Sequence, residues 1–309
     1  MANASGEQYV LSLETEHGQL RATIAQVGAS LRQLSIGSID LVEPYSANQE
    51  RPLCAGVIMS PWVNRLDGGR WSHDGAQLEN PITIIEQNNA NHGLLLDRHY
   101  DLVEKSESEV TLSAVIDSPA GYPFEIETRV TYSLTSRGLE VTQSAKNLSA
   151  VKAPYATGAH PYFKFSEVET GELILSSDAE TRTVVDERQI PISEAPTLGS
   201  KFDLRQGLPV GENFIDEDFT DLPLDENNRS HVYLKSTAGR GIDVWQDSSF
   251  KHVVIFTPNY FPAINGEKVY AAAIEPSTAA PNALNSGKDL IWLAPGQQFV
   301  GKWGVDLVL

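Results

Sequence analysis

Ile126-Glu127-Thr128-Arg129-Val130-Thr131-Tyr132-Ser133-Leu134, then Thr135-Ser136-Arg137-Gly138, then Leu139-Glu140-Val141-Thr142-Gln143, is the stretch that decides the fold class. Ile126, Val130, Tyr132 and Leu134 share one parity, with polar residues between them. That period of two belongs to a strand with one buried face. The intervening segment ends in glycine and reads as a turn, so the two runs form an antiparallel pair. Upstream, Val110-Thr111-Leu112-Ser113-Ala114-Val115-Ile116 repeats the pattern, and Asp74-Gly75 between Trp71 and Leu78 is a hairpin signal. Further strands are expected at 231–235, 242–246, 252–256, 269–274 and 299–307. Segments 178–198 and 216–229 read as loops, anchored by Val184, Ile190, Phe219 and Leu222. No long stretch carries a 3.6-residue period. Strands joined by short turns, with almost no helix, predict an all-β sandwich or barrel. Neither loop resembles an interdomain linker and no repeat is visible, so residues 1–309 are read as a single domain.

Composition narrows the function. With 23 Lys and Arg against 41 Asp and Glu, the 309-residue chain has a formal charge of -18. Such a field repels nucleic acid and anionic membranes, so neither is an expected partner. Cys54 is the one cysteine, so an intrachain disulfide and a thiolate zinc cluster are both excluded. It lies in the apolar run Pro52-Leu53-Cys54-Ala55-Gly56-Val57 and reads as a small buried hydrophobe. The N-terminal residues lack the basic and apolar regions of a signal peptide, and no apolar run approaches a membrane span. A cytoplasmic protein, monomer or homodimer, is the expectation.

Two short segments carry the chemistry: Gly158-Ala159-His160-Pro161-Tyr162-Phe163 and Ala273-Ile274-Glu275-Pro276-Ser277. Each places an ionisable side chain before a proline, which biases it toward extended backbone. A histidine and a carboxylate on strand-like segments make an acid/base pair if the fold unites them. In Pro61-Trp62-Val63-Asn64-Arg65-Leu66, Asn64 and Arg65 offer donors that could grip sugar hydroxyls, with Trp62 or Trp71 as an apolar platform. Asn89-Ala90-Asn91-His92-Gly93 adds a histidine framed by small polar residues. There is no Gly-rich phosphate loop, dinucleotide fingerprint, G-x-S-x-G elbow or H-E-x-x-H motif. His73, His92, His99, His160, His231 and His252 show no metal-ligand spacing. Chemistry without a cofactor or metal is therefore expected.

In order along the chain, Asn64-Arg65 through Trp71, Asn91-His92-Gly93, Ala159 to Phe163, Asp216 to Phe219, and Ile274-Glu275-Pro276 ahead of Asn285-Ser286-Gly287 resemble the aldose 1-epimerase (galactose mutarotase-like) family. The similarity runs from about residue 10 through Pro295-Gly296 to Trp303-Gly304. It implies a large antiparallel β-sandwich and interconversion of the α and β anomers of a free aldose. By the same resemblance Glu275 is the general base on the C1 hydroxyl and His160 the general acid at the ring oxygen, flanking opposite edges of one hexopyranose. Asn64, Arg65 and His92 then hydrogen-bond the sugar, and Asp216 orients a hydroxyl, with Asp218 and Asp221 near enough in sequence to substitute for it. Typical galactose mutarotases read N-H-S/T-Y-F and L-H-G-G where this chain has Ala159-His160-Pro161-Tyr162-Phe163 and Asn91-His92-Gly93-Leu94. It is thus similar to a diverged bacterial branch, and galactose as its substrate does not follow. A hexose-6-phosphate 1-epimerase and a non-catalytic sugar-binding protein on this fold are the alternatives.

Overall fold

The computed structural model describes residues 4–309, and nearly all of its regular structure is antiparallel strand. The diagnostic stretch forms the strands Glu125–Leu134 and Gly138–Asn147, paired in unbroken register from Ile126 opposite Asn147 to Leu134 opposite Leu139. Its alternation is the packing: Ile126, Thr128, Val130, Tyr132 and Leu134 are all buried. Glu109–Asp117 joins one edge of this pair. The other continues through Gln298–Val308, Gly241–Asp247 and Arg229–Lys235 into a sheet of nine strands.

A second, eight-stranded sheet positions the site. Its central order runs Thr181–Val185, Asp216–Thr220, His252–Phe256, Ala272–Ser277, Gly158–Ala159 and Ile58–Met59, with Tyr162–Phe163 also on Ala272–Ser277. One face of this sheet presents Phe219, Val253, Ile255, Ala272 and Ile274 to the main core. That core also holds Val130, Tyr132, Val141, Val244, Trp303 and Val305 of the larger sheet. Two sheets with apolar inner faces make a sandwich. Because side chains alternate, the polar and aromatic residues between these positions must emerge on the opposite face.

Three sequence expectations need correction. The strand expected at 269–274 is two, Lys268–Val269 and Ala272–Ser277. They are separated where the Ala271 N–H leaves the ladder to donate to the Pro258 carbonyl. The expected loop at 178–198 contains the hairpin of Thr181–Val185 and Pro191–Pro196. Its second strand is an edge, where proline and exposed polar residues are tolerated and hide the period of two. The segment expected as a loop at 216–229 begins with the strand Asp216–Thr220, in which Asp216 lines a cleft, Glu217 pairs with Arg182 and Asp218 is buried.

Gly56 shows how tightly the backbone is set here. It has φ of +74°, and a Cβ would overlap the Leu31 carbonyl. Its N–H donates to the His160 carbonyl at 2.8 Å and its carbonyl accepts from Leu31 at 2.9 Å. Gly56→Ala is therefore expected to destabilise by about 1–3 kcal/mol or more, through both strain and overlap. A thermal melt no lower than that of the parent would contradict this reading of the turn.

Candidate active site

The two proline-bounded motifs meet across one strand pair. The register that sets Gly158 opposite Ser277 and Tyr162 opposite Ala273 sets His160 opposite Glu275. The His160 N–H donates to Val57 (3.0 Å) and its carbonyl accepts from Gly56 (2.8 Å), so its backbone hydrogen bonds point away from Glu275. His160 and Glu275 thus occupy a non-hydrogen-bonded position of the antiparallel pair, the type in which side chains lie closer. On either side, Pro161 and Pro276 lack the N–H that would complete the flanking ladder bonds. The result is direct contact, with His160 Nε2 3.2 Å from Glu275 Oε1.

The same row continues across the sheet, Glu275 opposite Val254 and Val254 opposite Asp218. The next row holds Tyr162, Ala273, Phe256 and Asp216. Above this floor, the strands Arg65–Asp67 and Asn89–Asn91 pair, with Arg65 opposite Asn91, and close the other wall. The His92 N–H donates to the Asn64 carbonyl at 2.9 Å. Asn64 and His92 both adopt left-handed backbone, φ +51° and +58°, which turns each side chain out of its strand. Gly93 follows with φ +85°, where a Cβ would overlap the Ser60 carbonyl.

A cleft of about 250 Å³ results, and Asn64, Arg65, His92, His160, Asp216 and Glu275 all line it. Arg65 is held by Asn64 Oδ1 (3.1 Å) and Gln87 Oε1 (2.9 Å), and its Nη2 lies 3.9 Å from Asp216. The His92 and His160 rings meet edge to face at 5.2 Å, and His160 stacks on Tyr162 at 5.1 Å. Tyr162 is fixed in turn by its hydroxyl, which donates to the Leu53 carbonyl at 3.1 Å. His92 Nδ1, His160 Nδ1 and Glu275 Oε2 are buried without a protein partner. Buried polar atoms are normally satisfied, so three orphans converging on one cleft mark a ligand site.

Burial dominates the electrostatics. It lowers the His160 imidazole to about 3, with the Arg65 charge pushing the same way. It lowers His92 as well, reinforced by His160 and Arg65. Burial raises Glu275 well above the usual carboxylate range, and Asp216 adds to this while Arg65 opposes it. Asp216 is also raised by burial, against the pull of Arg65.

The structure separates the candidate acids. Asp216 lines the cleft, whereas Asp218 is buried beside it on the same sheet face, accepting from Thr183 Oγ1 at 2.6 Å and lying 3.0 Å from His252 Nδ1. His252 Nε2 reaches Asp289 at 3.1 Å. Neither tryptophan forms the expected platform. Trp62 and Trp71 are core residues, and the Trp71 indole donates to the Gly121 carbonyl at 2.8 Å. The aromatic wall is Tyr162 and Phe256 instead. Cys54 differs too: it is half-buried on the cleft wall, and burial pushes its thiol up to about 11. Sequence reasoning passed over Tyr162, Asn91, Val254 and Phe256. Tyr162 alone carried a usable signal, lying two residues from His160 and so on the same strand face. Among the described residues, no cluster of three or more His, Cys, Asp or Glu side chains is arranged to hold a metal ion.

The all-β sandwich is the fold of galactose mutarotase-like structures. The chain belongs to the aldose 1-epimerase family, whose model matches residues 10–304. It is 30% identical over 285 residues to the uncharacterized protein YihR of Escherichia coli strain K12, covering 91% of this chain and 88% of that one. Human galactose mutarotase is 29% identical over 170 residues, 52% of this chain and 48% of that protein. Among solved structures, a GalM/aldose epimerase homologue from C. elegans superposes with a TM-score of 0.84 at 19% identity, covering 98% and 99% of the two chains. Galactose 1-epimerase from Lactobacillus acidophilus gives 0.77 at 18% identity, covering 98% and 99%.

His252 provides a test of the ion-paired cluster beside the cleft. Burial lowers its pKa, but the Asp218 and then the Asp289 carboxylates outweigh burial, and the imidazole is pushed up to about 9. A group raised on folding contributes stability that is whole below its unfolded value near 6.5 and is lost as pH rises through the folded one. Thermal stability should therefore fall between about pH 7 and 10, and His252→Gln should flatten that fall. An identical pH dependence in both proteins would remove the charged role.

Proposed function

We propose that this protein is a cofactor-independent isomerase, an aldose 1-epimerase that interconverts the α and β anomers of a free aldose, with His160 and Glu275 as its acid/base pair. The observation that carries the reading is their 3.2 Å contact inside the cleft lined by Arg65, His92 and Asp216. Mutarotation moves one proton off the C1 hydroxyl and one onto the ring oxygen. Those two oxygens share a carbon, so an acid and a base 3.2 Å apart can serve both from side by side, rather than from the opposite edges expected from sequence.

Glu275 takes the proton from the C1 hydroxyl and C1 becomes a carbonyl. The bond from C1 to the ring oxygen breaks with its electrons on oxygen, and His160 delivers a proton there. Rotation about C1–C2 presents the other carbonyl face, and closure runs the two transfers backward. Burial favours the neutral pair at rest, imidazole and carboxylic acid. The reactive form is its tautomer, imidazolium and carboxylate, reached by moving one proton between the two side chains, and after the step the pair is neutral again. Both states hold the same number of protons. Burial disfavours separated charge, so opening the ring discharges a pair that the cleft holds at a cost. Asn64, Arg65, His92 and Asp216 supply the donors and the acceptor that hold the sugar's hydroxyls.

The cleft, at about 250 Å³, lies below the roughly 300–1,000 Å³ typical of sites for drug-sized ligands, and suits one sugar ring. Among the described residues, Arg65 is the only arginine or lysine that lines it, faced by Asp216 and Glu275. A phosphate would need a richer set of donors, which favours an unphosphorylated sugar. We propose, too, that residues 1–309 act as a single domain.

Polarimetry on freshly dissolved hexoses and pentoses, with glucose 6-phosphate alongside, tests the activity. Each transfer group contributes on the order of 10²–10⁴-fold, so Glu275→Gln and His160→Ala should each lower kcat by about 10² or more while remaining folded. Mutarotation no faster than buffer across the panel would leave a sugar-binding protein instead. The pH profile is a second check. With His160 at about 3 and Glu275 raised, the pair keeps its two protons from acid pH to above the usual carboxylate range. The log of kcat/KM should thus stay level as pH falls through 6.5 and drop on the alkaline side, where the acid is lost. A break near 6.5 would mean that the histidine titrates as a solvated one.

A further inference from the structure

Two amides, not a carboxylate, hydrogen-bond the Arg65 guanidinium. Its Nε donates to Gln87 Oε1 at 2.9 Å and its Nη1 to Asn64 Oδ1 at 3.1 Å, while Asp216 stands 3.9 Å from Nη2. A guanidinium has five N–H donors. With two of them spent on neutral oxygens, it keeps its charge and its remaining donors for a ligand in the cleft. The strand that carries it is fixed separately. The Arg65 carbonyl accepts from the Asn282 N–H at 2.8 Å, and the Asp67 N–H donates to Asn282 Oδ1 at 3.2 Å. Asn282 thus sets the backbone, and the direction of the long side chain is left to Asn64 and Gln87.

Gln87 lies in the turn at 85–88, whose other residues are exposed, so core packing does not set its place. Arg188 does. Its Nε donates to the Gln87 carbonyl at 3.0 Å, and its Nη2 lies 3.1 Å from the Asn88 carbonyl and 2.7 Å from Asp67 Oδ1. In return, the buried Asn89 amide donates to the Arg188 carbonyl at 2.8 Å. Arg188 is itself placed by Asp186, whose Oδ1 accepts the Arg188 and Ile190 N–H groups, both at 2.9 Å. A planar fork that meets two successive carbonyls fixes the orientation of a turn as a single point donor cannot. The hairpin that presents Arg188 pairs with the strand of Asp216, so this contact ties the wall of the cleft to its floor.

We propose that Arg188 is a positioning residue for sugar binding: through Gln87 it aims the Arg65 guanidinium at the hydroxyls of the substrate. The inference rests on the proposed activity and adds to it a determinant outside the cleft. Arg188 is not among the residues that line the cleft, so it acts on the sugar through Arg65. Arg65 holds hydroxyls rather than the reacting atoms, and a loosened guanidinium weakens substrate and transition state alike. Such a loss raises KM and leaves kcat nearly unchanged.

The test is anomer exchange by polarimetry, with thermal melts alongside, on the hexose or pentose that the parent protein turns over fastest. Arg188→Ala, Gln87→Ala and the double variant are compared with the parent. Each single change should raise KM about tenfold, the scale of one hydrogen bond to a charged group, with kcat nearly unchanged. The double variant should lose no more than either single one, because both changes cut the same chain of contacts. Arg188→Lys keeps a charge for Asp67 but not the fork to Gln87 and Asn88. It should therefore behave as Arg188→Ala does, and it takes that variant's place in the cycle if alanine prevents folding. Losses that multiply in the double variant, a KM unmoved by either single change, a loss carried by kcat, or full rescue by lysine would overturn the role and leave the epimerase reading standing. No exchange above buffer by the parent on any of these sugars would instead remove that reading, and the positioning role with it.

Discussion

One strand pairing governs the site. His160 and Glu275 are distant in the chain, yet antiparallel register sets them opposite each other, at a position whose backbone bonds point outward on both sides. A histidine on a loop would have to be held by side-chain contacts. Here the ladder itself fixes the spacing, and a slip of one residue would send both side chains into the apolar core. Pro161 and Pro276 flank the pair on opposite strands. Each removes a donor from the ladder, and each restricts the residue before it to extended backbone. Tyr162 and the Gly56 turn complete the frame around the imidazole.

The sheet divides its labour by face. Phe219, Val253, Ile255 and Ile274 anchor it to the sandwich core, while the residues between them build the cleft. Bringing several ionisable groups together under low solvation has an electrostatic cost, visible in the lowered histidines and raised carboxyls. The cost is contained in two ways. Arg65 stands among the carboxyl groups and stabilises their charged forms. Beside the cleft on the same sheet face, Asp218 is withdrawn from it and bound to His252, whose own charge Asp289 shares. Two acidic residues two positions apart on one strand thereby differ, one lining the cleft and the other buried against His252.

Legibility in the sequence followed burial. Where one strand face packs on the core and the other meets solvent, as in Glu125–Leu134, hydrophobic alternation is plain. It fails at the Pro191–Pro196 edge, where neither face is fully buried. It fails also at Asp216–Thr220, because the face opposite the core is polar for the sake of a cleft rather than solvent. The six residues expected to carry catalysis and sugar binding, Asn64, Arg65, His92, His160, Asp216 and Glu275, stood in compact motifs and all line one cleft. The tryptophans misled because their motif marks a wall of the cleft whose bulky members point inward to the core. Val254 and Phe256 were invisible as site residues, since an apolar residue facing a ligand looks the same in sequence as one facing a core.

Taken alone, the sequence determined the all-β class, the family and the residue types able to move protons, because period, motif order and side-chain chemistry are local properties. What only the tertiary structure decided was adjacency. The histidine touches the glutamate, Asp216 rather than Asp218 reaches the cleft, and Tyr162 and Phe256 rather than tryptophans form its aromatic wall. The physical reason is that register and the choice of sheet face arise from long-range backbone pairing, which joins positions more than a hundred residues apart and leaves no trace in either segment by itself.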